Sequence, residues 1–187
     1  VISYLDYNKW TSYKCVEYKK KMVHIAHNDI PYASVIDSPC PVKVVYNAEW
    51  VKNVLNYVHP SFVFPPPVDE SMKVEKREKK YIAMVNLNSN KGAMQFYSVA
   101  KKLPQYQFLA IKGSYDNQIV STLPNVKTVQ NVPDIRVYYK EVAIMLCLSH
   151  YESWGLVAGE AMMNGIPLIC NPTPGLNENV GAIQSEG

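Results

Sequence analysis

Residues 142–148 read VAIMLCL, an apolar run with no polar interruption. A bilayer-crossing helix takes ~20 such residues, so this run is far too short to span a membrane. A half-exposed strand or helix would show polar residues at a period of 2 or 3.6, and none occur here. Unbroken hydrophobicity over this length is the pattern of a central parallel strand covered on both faces. Parallel strands need crossovers, so the flanking sequence should alternate strand with helix.

From residue 81 onward it does. Residues 81–87 (YIAMVNL) predict a strand, and 92–103 an amphipathic helix with Ala93, Phe96, Ala100 and Leu103 on one face and Lys101 and Lys102 turned outward. Pro104 ends that helix. Residues 107–111 and 126–130 predict two further strands, and 134–140 a short helix. After the 142–148 strand, 158–164 reads as helix, Gly165 as its stop, and 166–170 as a fifth strand.

The first seventy residues are built differently. Residues 22–26 and 42–46 are strand candidates, and 47–58 an amphipathic helix with Trp50, Val54, Leu55 and Val58 inward. FPPPVDE is then a stiff connector and SMKVEKREKK a charged, solvated linker. These shifts divide the chain into a partial α/β region at 1–68, a linker at 69–80 and an α/β domain at 81–187.

With 187 residues, 48% of them hydrophobic, the chain can bury one core or one and a half. Its net charge of +3 is too small to argue for nucleic acid and does not oppose an anionic small ligand. Cys15, Cys40, Cys147 and Cys170 form no C-x-x-C pair and read as buried free thiols. The N-terminus lacks the regions of a signal peptide, so an intracellular, cytoplasmic protein is expected. Of the 14 tyrosines, Tyr4, Tyr7, Tyr13 and Tyr18 lie in the N-terminal part, suited to packing or to stacking on a sugar.

Chemistry concentrates in HYESWGLVAGEAMMNGIPLIC, residues 150–170. Ligands of open α/β sheets bind beyond the carboxyl ends of strands, and residues 149–155 leave the most buried strand for a helix start. Such a start attracts phosphate through free N–H groups and the helix dipole. Gly155 lets a ligand approach the backbone, Ser153 is the expected N-cap, and Glu160 is placed to accept two hydroxyls, as a ribose offers. Glu152, in the loop, would sit nearer whatever the phosphates carry. The plainer reading makes Glu152 a dipole-compensating surface acid and Glu160 a solvated one.

The segment ESWGLVAGEAMMNGIPLI closely resembles the E-x7-E segment of retaining GT-B glycosyltransferases, in particular the GT4 family, with Trp154 in place of the usual Phe. Lys91-Gly92 looks like the family's K-G after the first strand, PGLNE at 174–178 like its loop after the fifth, and residues 42–69 like its stretch into the N-P-V-D hinge. The resemblance implies a Rossmann-like parallel sheet of a GT-B C-terminal domain, preceded by a small partial α/β N-terminal domain. It implies transfer of a sugar from a nucleotide-diphosphate donor, a UDP- or GDP-sugar, to a glycan or other hydroxyl acceptor with retention of configuration. No further cofactor is implied.

Carried over by position, Glu160 binds the ribose and Glu152 contacts the donor sugar. The backbone at Ser153, Gly155 and Leu156 holds the diphosphate, and Lys91 neutralises it as it leaves. His27 falls near the histidine that faces the transferred sugar, with His24 as competitor. No D-x-D occurs, which fits a metal-independent site. Nucleic acid is not expected as a partner, and peripheral membrane contact is left open.

Two departures stand out. Where the family has arginine before its K-G, Asn86 takes its place among the residues expected to bind the nucleotide sugar but supplies neither the charge nor the fork; another basic residue such as Lys112 would have to substitute. The chain is also shorter than the ~300 residues of a two-domain GT-B enzyme. A nucleotide-sugar-binding or assembly module without transferase activity is therefore the alternative, and a relative that hydrolyses or epimerises the donor a third reading.

Overall fold

The computed structural model describes residues 1–4 and 8–184, the last three of these by backbone only, and divides into two compact units, Val1–Pro66 and Pro67–Gly187. Tyr7 lies outside the described residues.

The first unit runs β1 (Ile2–Tyr4), α1 (Asn8–Glu17), β2 (Met22–Ala26), α2 (Ala33–Ile36), β3 (Val42–Tyr46), α3 (Glu49–Leu55) and β4 (Ser61–Val63). Its four strands are all parallel, in the order β1-β2-β3-β4. The two strands expected here are found as read, and in β2 alternate residues Met22, His24 and Ala26 are buried, as period 2 requires. Helix α1 escaped the sequence reading because it buries Asn8, Thr11, Ser12 and Cys15, small residues that leave no apolar period. In α3 the buried residue is Val51, while Val54 and Val58 are 59% and 91% exposed. The expected inward face is offset, with Val51 rather than Val54 buried, and Asn56 turns left-handed (φ 42°), ending the helix at Leu55 and taking Val58 out of its register.

The second unit runs β5 (Tyr81–Val85), α4 (Ala93–Lys102), β6 (Phe108–Ile111), β7 (Val126–Val129), α5 (Arg136–Tyr139), β8 (Val142–Cys147), α6 (Leu156–Met163), β9 (Leu168–Cys170) and α7 (Pro174–Gln184). Its sheet is parallel throughout, in the order β7-β6-β5-β8-β9. Strand β8 is covered on both faces as its composition demands. Met145 and Cys147 join a core layer with Tyr139, Ala158, Ala161 and Leu176, while Leu146 joins the opposite layer with Phe96, Ala100 and Phe108. Phe96 and Phe108 meet edge to face at 5.6 Å and 83°, a pairing worth ~0.5–1.5 kcal/mol beyond area burial.

The charged stretch before β5, mostly exposed, is anchored to the second unit at a few points. Met72 and Val74 pack on the core, the Val74 amide donates to Asn164 Oδ1 (2.8 Å), and the Arg77 guanidinium donates to the carbonyls of Val142 (3.3 Å) and Gly165 (2.7 Å). The Glu78 and Lys80 amides donate to Lys140 and Glu141 carbonyls. Composition concealed this because backbone groups and one arginine, rather than an apolar stripe, do the anchoring. PGLNE is not a loop but the first turns of α7, with Pro174 at the position where a missing N–H costs nothing.

Candidate functional site

Strand order reverses between β5 and β8. From β5 the chain crosses to β6 and β7 on one side, then returns to β8 and β9 on the other. At such a switch point the loops leaving the two central strands part and open a crevice beyond their carboxyl ends. Residues 86–92 and 149–155 are those loops.

The two loops are bound to each other through backbone. The His150 amide donates to the Asn90 carbonyl (2.8 Å), and a Cβ on Gly92, whose φ is 88°, would lie 2.3 Å from the Leu148 carbonyl oxygen. Only glycine satisfies both demands. Asn88 shapes the 3-10 turn at Ser89–Lys91 by accepting the Lys91 amide (2.9 Å) on its side chain. The turn carries the Lys91 ammonium to the Glu152 carboxylate, where the two form an ion pair, and the Ser149 hydroxyl donates to the same carboxylate oxygen (2.9 Å). With side chains 22% and 17% exposed, the pair is screened less than a surface bridge.

Beyond Glu152 the backbone reverses at Gly155 (φ 88°), and α6 starts at Leu156. The expected N-cap, Ser153, is not the cap: the left-handed turn moves the helix start two residues on, Gly155 occupies the cap position, and no side chain caps it. Helix geometry gives the Leu156 and Val157 amides no carbonyl one turn back, so they face the crevice end of α6. Helix α7 supports this loop. Asn179 Nδ2 donates to the Trp154 (3.1 Å) and Gly155 (3.0 Å) carbonyls, and a Cβ on Gly175 would lie 2.3 Å from the Glu152 carbonyl oxygen.

Glu160 is half-buried and hydrogen-bonded rather than fully solvated. Its carboxylate accepts the hydroxyl of Tyr139, a fully buried residue of α5, at 2.5 Å. Burial raises the Glu160 pKa and the Tyr139 bond opposes that rise; burial, then the nearby Glu160 charge, hold the tyrosine hydroxyl far above its ordinary value. The thiol of Cys147, at the end of β8, is pushed up to about 12, first by burial, next by Glu152 and then by Cys170. Lys91 lowers it and Glu160 raises it again, so one buried atom feels Lys91, Glu152 and Glu160 together.

Asn86 is 6% exposed and adopts φ 68°. Its Oδ1 accepts the Gln118 side-chain amide (2.9 Å) and the Asn88 backbone amide (3.3 Å), while Gln118 Oε1 accepts from Leu87 (2.8 Å) and Gly113 (2.7 Å). Its acceptor oxygen is thus spent inside the fold. Lys112 directly follows β6 and is half-buried. His27 belongs to the first unit, follows β2, and stacks on Tyr4 at 4.6 Å; burial lowers its pKa. His24 is fully buried, Nδ1 is 2.8 Å from Ser3 Oγ, and burial, then His27, bring its pKa down to about 4.

Sequence reasoning missed Tyr139, Ser149, Asn179 and Gln118. Ser149 sat three residues before Glu152, a readable signal; the others arrive from distant segments and left none. Among the described residues no three His, Cys, Asp or Glu side chains could hold a metal ion, and no helix is long and apolar enough to cross a membrane.

No curated protein sequence matches the chain. Among solved structures, it is similar to Anabaena Alr3699/HepE in complex with UDP-glucose, with a TM-score of 0.75 and 14% identity over 93% of this chain and 60% of that one. It is similar to sucrose-phosphate synthase from Thermosynechococcus elongatus, with a TM-score of 0.72 and 15% identity over 98% and 63%. It is also similar to the pneumococcal O-GlcNAc transferase GtfA in complex with UDP and GlcNAc, with a TM-score of 0.68 and 13% identity over 89% and 40%. The chain therefore spans less than two thirds of the length of each, and at these identities the likeness is one of fold. The family model described as glycosyl transferases group 1 matches residues 68–184, which take in the whole β5–α7 unit and both loops of the crevice. By that match over more than half its length, the chain belongs to the glycosyl transferases group 1 family.

Proposed function

We propose that this chain binds a nucleotide-diphosphate sugar, a UDP- or GDP-sugar, in the crevice beyond β5 and β8 and serves its transfer, with retention, to a hydroxyl of a glycan or similar acceptor, as in GT4-like enzymes. The observation that carries this is the Lys91–Glu152 ion pair at the sheet end, beside the uncapped start of the helix that carries Glu160. Glu160, steadied by Tyr139, presents a carboxylate suited to two ribose hydroxyls. The start of α6 at Gly155 and Leu156, with the nearby Ser153 backbone, offers donors and a dipole to a diphosphate. Lys91 exchanges its partner Glu152 for the leaving phosphate, and Glu152 turns to the donor sugar. The acceptor oxygen attacks the anomeric carbon on the face the diphosphate leaves; the bond to the diphosphate breaks and a diphosphate oxygen takes the acceptor proton. For His27, a role towards the sugar is supported by the resemblance alone.

Calorimetric titration with UDP, GDP, ADP and their sugar conjugates, without added metal, tests the reading. Binding of one nucleotide family that disappears in Glu160→Ala is expected; unchanged affinity in that variant would overturn it. A second reading, donor binding without transfer, is favoured by Asn86, whose side chain is engaged by Gln118 and brings no charge. Product formed with any acceptor would exclude it.

A further inference from the structure

Beyond the carboxyl ends of β5 and β6 lies a pocket of about 390 Å3 lined by Asn88, Ser89, Asn90, Asp116 and Asn117. All five side chains are polar, one is a carboxylate and none is basic. Asn88 is 5% exposed, and its Nδ2 donates to Asp116 Oδ2 at 3.4 Å. The loop carrying Asp116 is held in place by Gln118, whose amide nitrogen donates to the carbonyls of Tyr115 (2.8 Å) and Asp116 (3.5 Å) and to Asn86, and whose oxygen accepts from Leu87 and Gly113. Gly113 admits that arrangement, since a Cβ there would lie 2.4 Å from the Asn86 side chain.

This lining selects among ligand classes. A phosphate would meet a carboxylate with no lysine or arginine to offset it. A divalent cation wants several anionic oxygens, and Asp116 is the one carboxylate in the lining. Side-chain amides and a carboxylate side by side offer donors and acceptors together, which is what adjacent sugar hydroxyls, each a donor and an acceptor, require. Because Gln118 fixes the loop in advance, little ordering remains to be done on binding.

We propose that this pocket is a binding subsite for a neutral sugar unit, and that Asn88, Asp116 and Asn117 recognise it. Ser89 and Asn90 join it directly to Lys91. On the donor-site reading above, on which this placement rests, the bound unit is a sugar of the acceptor and not part of the nucleotide.

The test is an amide NMR titration of the full chain with methyl glycosides of glucose, galactose, mannose and N-acetylglucosamine, and separately with UDP and GDP. At least one glycoside is expected to shift residues 88–90 and 113–118 with a Kd of order 1 mM. Asp116→Ala and Asn117→Ala, both exposed loop positions in the lining, should each weaken it about tenfold while leaving the nucleotide response of residues 152–160 unchanged. Glycoside shifts confined to residues 152–160, or none at saturating glycoside while UDP or GDP binds, would overturn the subsite and leave the donor reading standing. Glycoside shifts at 88–90 and 113–118 without any nucleotide response would uphold the subsite and sink the donor reading. No response to either class would overturn both.

Discussion

Replacing Tyr139 with Phe removes one hydroxyl from a fully buried ring and leaves the packing volume almost unchanged, so the loss is that of the 2.5 Å bond to Glu160. A hydrogen bond to a charged group contributes ~1.5–3 kcal/mol, and a neutral one ~0.5–1.5 kcal/mol. Because Glu160 is only half-buried, water offsets part of the deficit and the lower end applies, about 1.5–2 kcal/mol at neutral pH. The sign of the pH dependence follows from the carboxyl. Its folded pKa is raised above the unfolded value, so Glu160 favours the fold below about pH 4.5 and that contribution is lost as pH rises through the folded pKa. The Tyr139 bond limits the rise, so removing it should cost more where Glu160 is ionised than where it is protonated.

For a chain of this size each kcal/mol moves Tm by ~2–4 °C. Tyr139→Phe should therefore lower the melting temperature of the second unit by about 3–8 °C near pH 7 and by about half that near pH 4. Differential scanning calorimetry of both proteins at the two pH values reads this directly. A difference that is the same at both pH values, or larger at the acidic one, would refute the charge-assisted bond as its cause.

Lys91→Met should weaken UDP about tenfold or more through loss of a charge-assisted contact, while uridine, which lacks the diphosphate, is unaffected; equal weakening of both in titration calorimetry would contradict the assigned role. Gly175→Ala forces a methyl against the Glu152 carbonyl, so the loop must move: a stability loss of ~1–3 kcal/mol by urea unfolding, with reduced nucleotide affinity, is expected, and unaltered binding would show the loop position to be irrelevant. His24, neutral in the fold with a pKa near 4 against 6.5 unperturbed, binds its proton on unfolding, so its contribution is present above pH 6.5 and lost as pH falls towards 4. The loss is about 3 kcal/mol, with His27 adding in the same direction; His24→Asn should flatten the urea midpoint of the first unit across that window, and an undiminished slope would exclude His24 as its source.

What the sequence determined by itself is what local chemistry enforces. An apolar run such as 142–147 has no stable place except between two layers, and Phe96 and Ala100 one turn apart have no partner but a sheet, so the β-α alternation of the second unit was readable before any coordinates. The E-x7-E segment was readable for the same reason, since glutamates at fixed offsets from a glycine turn carry their spacing in the chain. Tertiary structure decided what depends on segments far apart. Tyr139 reaches Glu160 from another helix, Asn179 and Gly175 reach the Glu152–Gly155 loop from a helix that read as loop, and Gln118 fills the hydrogen bonds of Asn86 from 32 positions away. The cap moved from Ser153 to Gly155 because the backbone turns left-handed there, against Leu176, where a Cβ would lie 2.6 Å away. Helix α1 stayed hidden because the residues it buries at helical spacing, Asn8, Thr11, Ser12 and Cys15, are small or polar, so no apolar period marks the face it packs.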